Sequence, residues 1–170
     1  MYKIGDRVFY PMHGAGIIED ILVKNIGGQD REYYAVKVVC GNILLMLPIS
    51  GSKIQLRDII CESDAMDVLD YFEQYKIENN CSWGRRYKEN MEQLKSGDPR
   101  DTAQVVKALM IRDKEVGLST GDRQVMVLSK NILCSELSFS LGREIKDLQK
   151  ELQIIIDKEF EESRSELLPT

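Results

Sequence analysis

Gly16-Ile17-Ile18-Glu19-Asp20-Ile21-Leu22-Val23, Gly27-Gly28-Gln29-Asp30 and Glu32-Tyr33-Tyr34-Ala35-Val36-Lys37-Val38-Val39 read, in that order, as strand, turn and strand. β-Branched and aromatic residues dominate both flanks with a period near two, the pattern of a half-buried strand. The glycines between them adopt positive φ at little cost, which a tight hairpin needs. Working outward, Arg7-Val8-Phe9-Tyr10 and Ile43-Leu44-Leu45-Met46-Leu47 have the same character. Pro11-Met12-His13-Gly14-Ala15-Gly16 and Cys40-Gly41-Asn42 are turn chemistry between them. Four or five such strands within residues 1–60 predict a small, strongly bent antiparallel barrel of SH3 or Tudor type.

After Arg57 the alternation stops and helical spacing takes over, so residues 61–170 are expected to be all helical and the chain as a whole to be α+β. A linker helix is expected at about 64–76, capped by Ser63 or Asp64, with Met66, Leu69, Tyr71, Phe72 and Tyr75 on its apolar side. Glu78-Asn79-Asn80-Cys81-Ser82 reads as a polar loop before a helix over Arg85 to Lys95. In Ser96-Gly97-Asp98-Pro99, Gly ends that helix and Pro opens the next, which runs from Asp101 to Val116 with Val105, Ala108, Leu109 and Arg112 in repeat. Ser119-Thr120-Gly121-Asp122 is a capping box that starts a helix to about Leu141, where Gly142 breaks it. A C-terminal helix over 143–160 carries Ile145, Leu148, Leu152, Ile155 and Ile156 as its stripe, and beyond Glu161 the chain is expected to fray.

Composition narrows the function classes. Over 170 residues, 43% are hydrophobic and 30% charged, as in an ordinary globular protein. The net charge of −5 argues at first against a polyanionic partner. Its distribution reverses that impression, because residues 81–130 carry ten cations and seven anions while residues 61–80 carry one cation and six anions. With neither a signal-type leader nor a bilayer-length apolar run, a cytoplasmic address is expected, with no membrane partner. Cys40, Cys61, Cys81 and Cys134 are scattered, without the close pairing of zinc or redox motifs. The sole histidine, His13, lies in a turn without metal-binding company, and Gly14-Ala15-Gly16 has neither the Lys nor the helix of a phosphate loop. No nucleophile with its base, carboxylate dyad or metal set assembles, so neither an enzyme nor a cofactor is expected.

One block stands apart. Ser82-Trp83-Gly84-Arg85-Arg86-Tyr87-Lys88 puts the chain's only Trp beside three cations at a helix start. Residue types alone leave two readings open. Trp83 can anchor a core beside a solvated Arg-Arg face, or the cations can meet phosphates while the indole inserts at a base step. Arg112, Lys114 and Arg123 stand at a helix end and the next helix start, where they could join the same face.

Gly5-Asp6-Arg7-Val8-Phe9-Tyr10-Pro11-Met12-His13-Gly14-Ala15-Gly16 resembles the opening of the CarD family, whose members begin with a G-D-x-V-x-Y-P-x-H-G-x-G-like signature. The likeness continues in Glu32-Tyr33-Tyr34, in Trp83 with Arg85-Arg86-Tyr87-Lys88 and Asn90, in Leu94 with Ser96-Gly97-Asp98, in Val105-Val106, Leu109 and Arg112-Asp113, and in Gly117-Leu118-Ser119 with Gly121. It spans about residues 1–141 as two ordered motif sets. The resemblance implies a Tudor-like polymerase-interacting domain, shared with the transcription-repair coupling factor, over 1–60 and a compact helical DNA-binding domain over 61–170. It further implies binding to the β subunit of bacterial RNA polymerase and to promoter DNA at the upstream edge of the transcription bubble.

Carried over by position, Trp83 is the minor-groove wedge, and Arg85, Arg86, Lys88 and Arg123 are backbone contacts, with Arg112 added from its place in the sequence. The polymerase side falls on strand 2 and its turn, at Lys24 and Ile26, and on a facing strand near Met46, where some relatives carry Arg. The expected regulator works as a monomer, reaches the nucleoid through polymerase and stabilises the open complex. The alternative is a polymerase-bound adaptor whose helical half recruits a protein rather than DNA. An RNA-binding barrel is a third class, resting on the Tyr33-Tyr34 pair alone.

Overall fold

A computed structural model describes residues 1–53, 56–77 and 83–167, with Trp83 described in its backbone only. Strands β1 (Arg7–Tyr10), β2 (Gly14–Ile26), β3 (Gln29–Val38), β4 (Ile43–Pro48) and β5 (Arg57–Asp58) form one antiparallel sheet in the order β4-β3-β2-β1-β5. Gly27 and Gly28 both take positive φ, 63° and 82°, so β2 and β3 close on a two-residue turn. Gln29 and Asp30, expected in that turn, instead pair with Ile26 and Asn25. Gly14 to Gly16, expected in the preceding turn, likewise open β2.

The register of β2 against β3 shifts between Ile18 and Asp20, a bulge that bends the strand. Curvature lets Val8, Ile18, Tyr34 and Val36 share one core with Leu47 of β4 and Leu56 beside β5, from opposite edges of the sheet. The result is a Tudor-like module, as expected, and an α+β chain.

Five helices follow: α1 (Glu62–Gln74), α2 (Trp83–Ser96), α3 (Pro99–Glu115), α4 (Thr120–Leu141) and α5 (Ile145–Glu166). Asp98 caps α3 by accepting from the Arg100 and Asp101 amides, with Pro99 at the first helical position. Ser119 caps α4 by accepting from the Asp122 amide at 3.1 Å, and Gly142 ends it in the left-handed region. Two expectations are corrected. α1 begins at Glu62 on Cys61, without a side-chain cap, so Ser63 and Asp64 lie in its first turn. Its buried face is Ala65, Val68 and Phe72, while Met66 is 55% exposed, because a small Ala sits where the close approach occurs. α5 does not fray at Glu161 but continues to Glu166, a stretch in which Glu161, Glu162 and Arg164 are good helix formers.

Helix α3 is the centre of the helical half. Its Ala103, Val106 and Met110 pack with α1, α4 and α5, while Val105 and Leu109 pack into a second cluster. That second cluster also contains Phe9 of β1 together with Leu94 of α2 and Ile132 of α4, so barrel and helices share a core.

Polar contacts lock the joint. The Ala15 amide donates to Ser135 Oγ at 2.9 Å, and a Cβ on Gly14 would meet that oxygen at 2.6 Å and Ile132 Cα at 3.2 Å. Arg57 forks onto the buried carboxylate of Glu136, donating from Nη1 to Oε1 and from Nη2 to Oε2 at 2.8 Å. The same guanidinium donates to the Gly97 carbonyl at 2.8 and 3.2 Å and stacks over the Phe9 ring at 3.9 Å.

Gly14→Ala should therefore destabilise the protein by about 2–5 kcal/mol, combining the penalty of a Cβ at φ 90° with overpacking against α4. The urea midpoint reads this, and a loss under about 1 kcal/mol would mean a loosely packed joint.

Burial pushes the Cys134 thiol up to about 12 from its ordinary 9.0. Its neutral form thus contributes stability below pH 9, and that contribution is lost as pH rises from about 9 towards about 12. At pH 8 iodoacetamide should label the exposed Cys61 in the native chain and reach Cys134 only after unfolding.

Candidate nucleic-acid interface

The charged block sits where α2 begins. α1, α3, α4 and α5 each carry an acid in the first turn, whereas α2 carries none and has Arg85 and Arg86 there instead. Cations at a helix N-terminus oppose the macrodipole, so this end of α2 is a spot of concentrated positive potential that an anion would relieve. Arg85 and Lys88 lie three residues apart on one side of the helix, and both are exposed. Arg85 donates from Nε to Glu89 at 2.8 Å, an exposed i,i+4 pair of little worth that can be exchanged for a phosphate. Trp83 opens α2, and its side chain lies outside the described residues.

Arg86 is placed differently from its neighbours. Its side chain is only 13% exposed and reaches Asp122, itself nearly buried in the first turn of α4, at 3.9 Å. The pair draws the starts of α2 and α4 together, which brings Arg123 to the same end of the domain as Arg85 and Lys88. Arg123 is 55% exposed and donates to Asp113 at the end of α3 at 3.1 Å.

Arg112 joins Arg86 in a cleft between α2 and α3, where Glu89, Glu92 and Asp101 also stand, so three carboxylates accompany two guanidiniums. Lys114 turns the other way, to Asp157 of α5 at 2.6 Å and over the Phe160 ring. That contact holds the Asp157 carboxyl below its ordinary range. Of the six expected DNA contacts, the structure brings Arg85, Lys88 and Arg123 to an accessible surface and turns Arg86 and Arg112 inward. The inward turn of Arg86 is matched by Asp122, whose role as a buried counter-charge the capping box did not reveal.

On the barrel, Lys24 and Ile26 lie at the exposed end of the β2–β3 hairpin, and Lys24 stands directly opposite Arg31. Like charges facing across a sheet repel. Met46 does not face β2 as expected: β3 lies between, and Met46 pairs with Ala35 on β4. Since β4 is an edge of the sheet, one side of its backbone is free of strand partners among the described residues, and Ile43 and Leu44 are 48% and 54% exposed beside it. The signal was present in Ile43-Leu44-Leu45-Met46-Leu47, a run too uniformly apolar for a strand buried on one face only. Among the described residues no group of three or more His, Cys, Asp or Glu could hold a metal, and no helix is long and apolar enough to cross a membrane.

Arg86→Ala would strand Asp122 and should destabilise by about 3 kcal/mol, as breaking a buried pair does. Arg85→Ala and Lys88→Ala should each stay within about 0.5 kcal/mol. Urea unfolding of the three variants compares them, and equal small effects would mean that Arg86 is held no more firmly than its exposed neighbours.

Comparison with known proteins gives two family matches along the chain. Residues 2–60 match the family model described as CarD-like/TRCF RID domain, and residues 67–153 match the one described as CarD, C-terminal domain. Over 146 residues the chain is 33% identical to a Bacillus subtilis (strain 168) protein named "Putative transcription factor YdeB". That alignment covers 84% of this chain and 94% of the relative.

Proposed function

The chain belongs to the CarD family, and from that premise we propose that it holds promoter DNA open by gripping RNA polymerase with its barrel and the edge of the melted duplex with the start of α2. Its role is transcription-related and its N-terminal half is polymerase-interacting. The finer reading is that the barrel binds the β subunit, and that Trp83 wedges into the minor groove at the upstream edge of the bubble. Arg85, Lys88 and Arg123 meet phosphates, while Arg86 and Arg112 position α2 from within. The protein acts as a monomer and carries out no covalent chemistry.

The observation that carries this reading is the exposed pair Arg85 and Lys88 on a helix start bare of acids, immediately after the chain's only Trp. Three phosphate contacts are too few to hold duplex DNA at cellular salt. Docking supplies the rest, because a barrel already bound to polymerase raises the local concentration of the weak DNA-binding end. The free β4 edge and the repelling Lys24–Arg31 pair suit a partner that offers an edge strand and acidic side chains. A wedge that fits only widened or unstacked DNA favours the open state by its differential affinity and by no more than that.

Trp83→Ala should shorten the lifetime of the open promoter complex while leaving polymerase binding intact. A lifetime equal to wild type, measured by competitor challenge with bacterial polymerase, would remove the wedge and favour a protein-recruiting role for the helical half. Arg85→Ala with Lys88→Ala should lower the salt slope of forked-DNA binding by about 1.8, at roughly 0.9 per phosphate.

A further inference from the structure

We propose that Arg57 is a positioning residue, which through Glu136 and Gly97 converts docking of the barrel into one fixed placement of α2 on DNA; the inference rests on the function proposed above. Arg57 lies on β5, paired with Phe9 of β1, and so belongs to the polymerase-interacting half. Its fork ends on the other half: on Glu136, which is 1% exposed in the C-terminal part of α4, and on the carbonyl of Gly97, the residue immediately after α2. A single planar group therefore ties three elements at one point.

What it ties down is the foot of α2. That helix has 14 residues and spans about 20 Å. Trp83, Arg85 and Lys88 are at its far end, so a small rotation at Gly97 is magnified into a displacement of the residues that would touch DNA. Only glycine suits this position, since its φ is 73° and a Cβ there would press on Pro11 at 3.0 Å, so the Arg57 bonds to its carbonyl are what hold this otherwise permissive joint. The other end of α2 is held by the Arg86 and Asp122 pair, onto the same α4 that carries Glu136.

Direction is the reason for an arginine here. The apolar cluster around Phe9, Leu94 and Ile132 joins the halves, but apolar contact has no preferred angle. A bidentate guanidinium–carboxylate pair does, because two parallel hydrogen bonds define a plane and an axis. Stacking of the guanidinium on the Phe9 ring at 3.9 Å fixes that plane relative to β1. A flexible tether would raise local concentration alone, whereas this joint presents the DNA-binding end already oriented, which removes the entropic cost of finding the bubble edge.

The test uses the full chain with polymerase and promoter DNA. Arg57→Met combined with Glu136→Leu removes both charges and leaves neither stranded in the interior, so the fold is kept while the fork is lost. Three quantities are compared with wild type: affinity for polymerase, affinity for forked DNA without polymerase, and open-complex lifetime. The expected result is a split, with both affinities unchanged and the gain in lifetime lost to the level of Trp83→Ala. A wild-type lifetime in this folded variant overturns the proposal.

Should the double variant fail to unfold cooperatively in urea, Arg57→Lys serves in its place. Lysine keeps the cation but lacks the planar fork that meets Glu136 with two parallel bonds, so a shortened lifetime is expected and an unchanged one overturns the proposal. Trp83→Ala measured alongside separates the two levels. If it shortens the lifetime and the Arg57 variants do not, the positioning role alone is wrong; if neither does, the underlying reading of the DNA-binding end is wrong.

Discussion

A carboxylate with 1% of its surface in water has to be met by a cation and hydrogen bonds, and Glu136 is met from the other half of the molecule. Its oxygens take the Arg57 fork and, at 3.1 Å, the Ile60 amide, so the segment leaving the barrel is threaded over α4 at the same place. One residue earlier Ser135 relays a bond from the barrel amide of Ala15 into the Ile132 carbonyl. Much of what gives the protein a defined shape, rather than two modules on a string, passes through this patch of α4. The glycine at position 14 is required there because no side chain fits between strand and helix.

Much of this fold was legible in the residues. The strands announced themselves through alternation, the hairpin through Gly27-Gly28, and the helix starts through Pro99 and through Ser119 with Asp122, because these are local effects that depend on a few neighbouring side chains. What stayed hidden was whatever depends on a distant partner. The buried face of α1 runs through Ala65, which no hydrophobicity pattern singles out, and Arg57 reads as an unremarkable strand cation until α4 stands opposite. The exposed cations at the start of α2, Arg85 and Lys88, stood out in the sequence by their company with Trp83. The inward turn of Arg86 did not, since its counter-charge is Asp122, 36 residues further on. The neighbourhood of Met46 was misjudged for a related reason: strand order is a property of the sheet, and alternation along one strand says nothing about which strand lies beside it.

The acidic balance of the chain is reconciled by the same separation of near and far. Several carboxylates in the helical half are engaged by cations of the chain itself: Glu136 by Arg57, Asp122 by Arg86, Asp113 by Arg123, Glu159 by Lys107. Net charge therefore overstates how negative the surface is near the start of α2, where the first turn carries no acid at all. Long-range repulsion from the acids of α1 is screened within roughly 8–10 Å at cellular salt. Contacts at the end of a helix are decided inside that distance.

Lys107 shows how far the helical half relies on such internal pairing. It is fully buried on α3, at the centre of the half, with its ammonium 2.8 Å from Glu159 of α5 and 3.0 Å from the Glu73 carbonyl near the end of α1. An ammonium with no access to water is tolerated only where acceptors surround it, so the last three turns of α5 have to be in place for α3 to be comfortable. These turns lie beyond residue 153, where the matched C-terminal domain stops, yet they contribute Ile156 to the core and Glu159 to the lysine. The C-terminal helix is thus a structural closure of the helical half. A cut after residue 153 would leave a buried cation facing an open side, with consequences reaching through α3 to the shared core beneath the barrel.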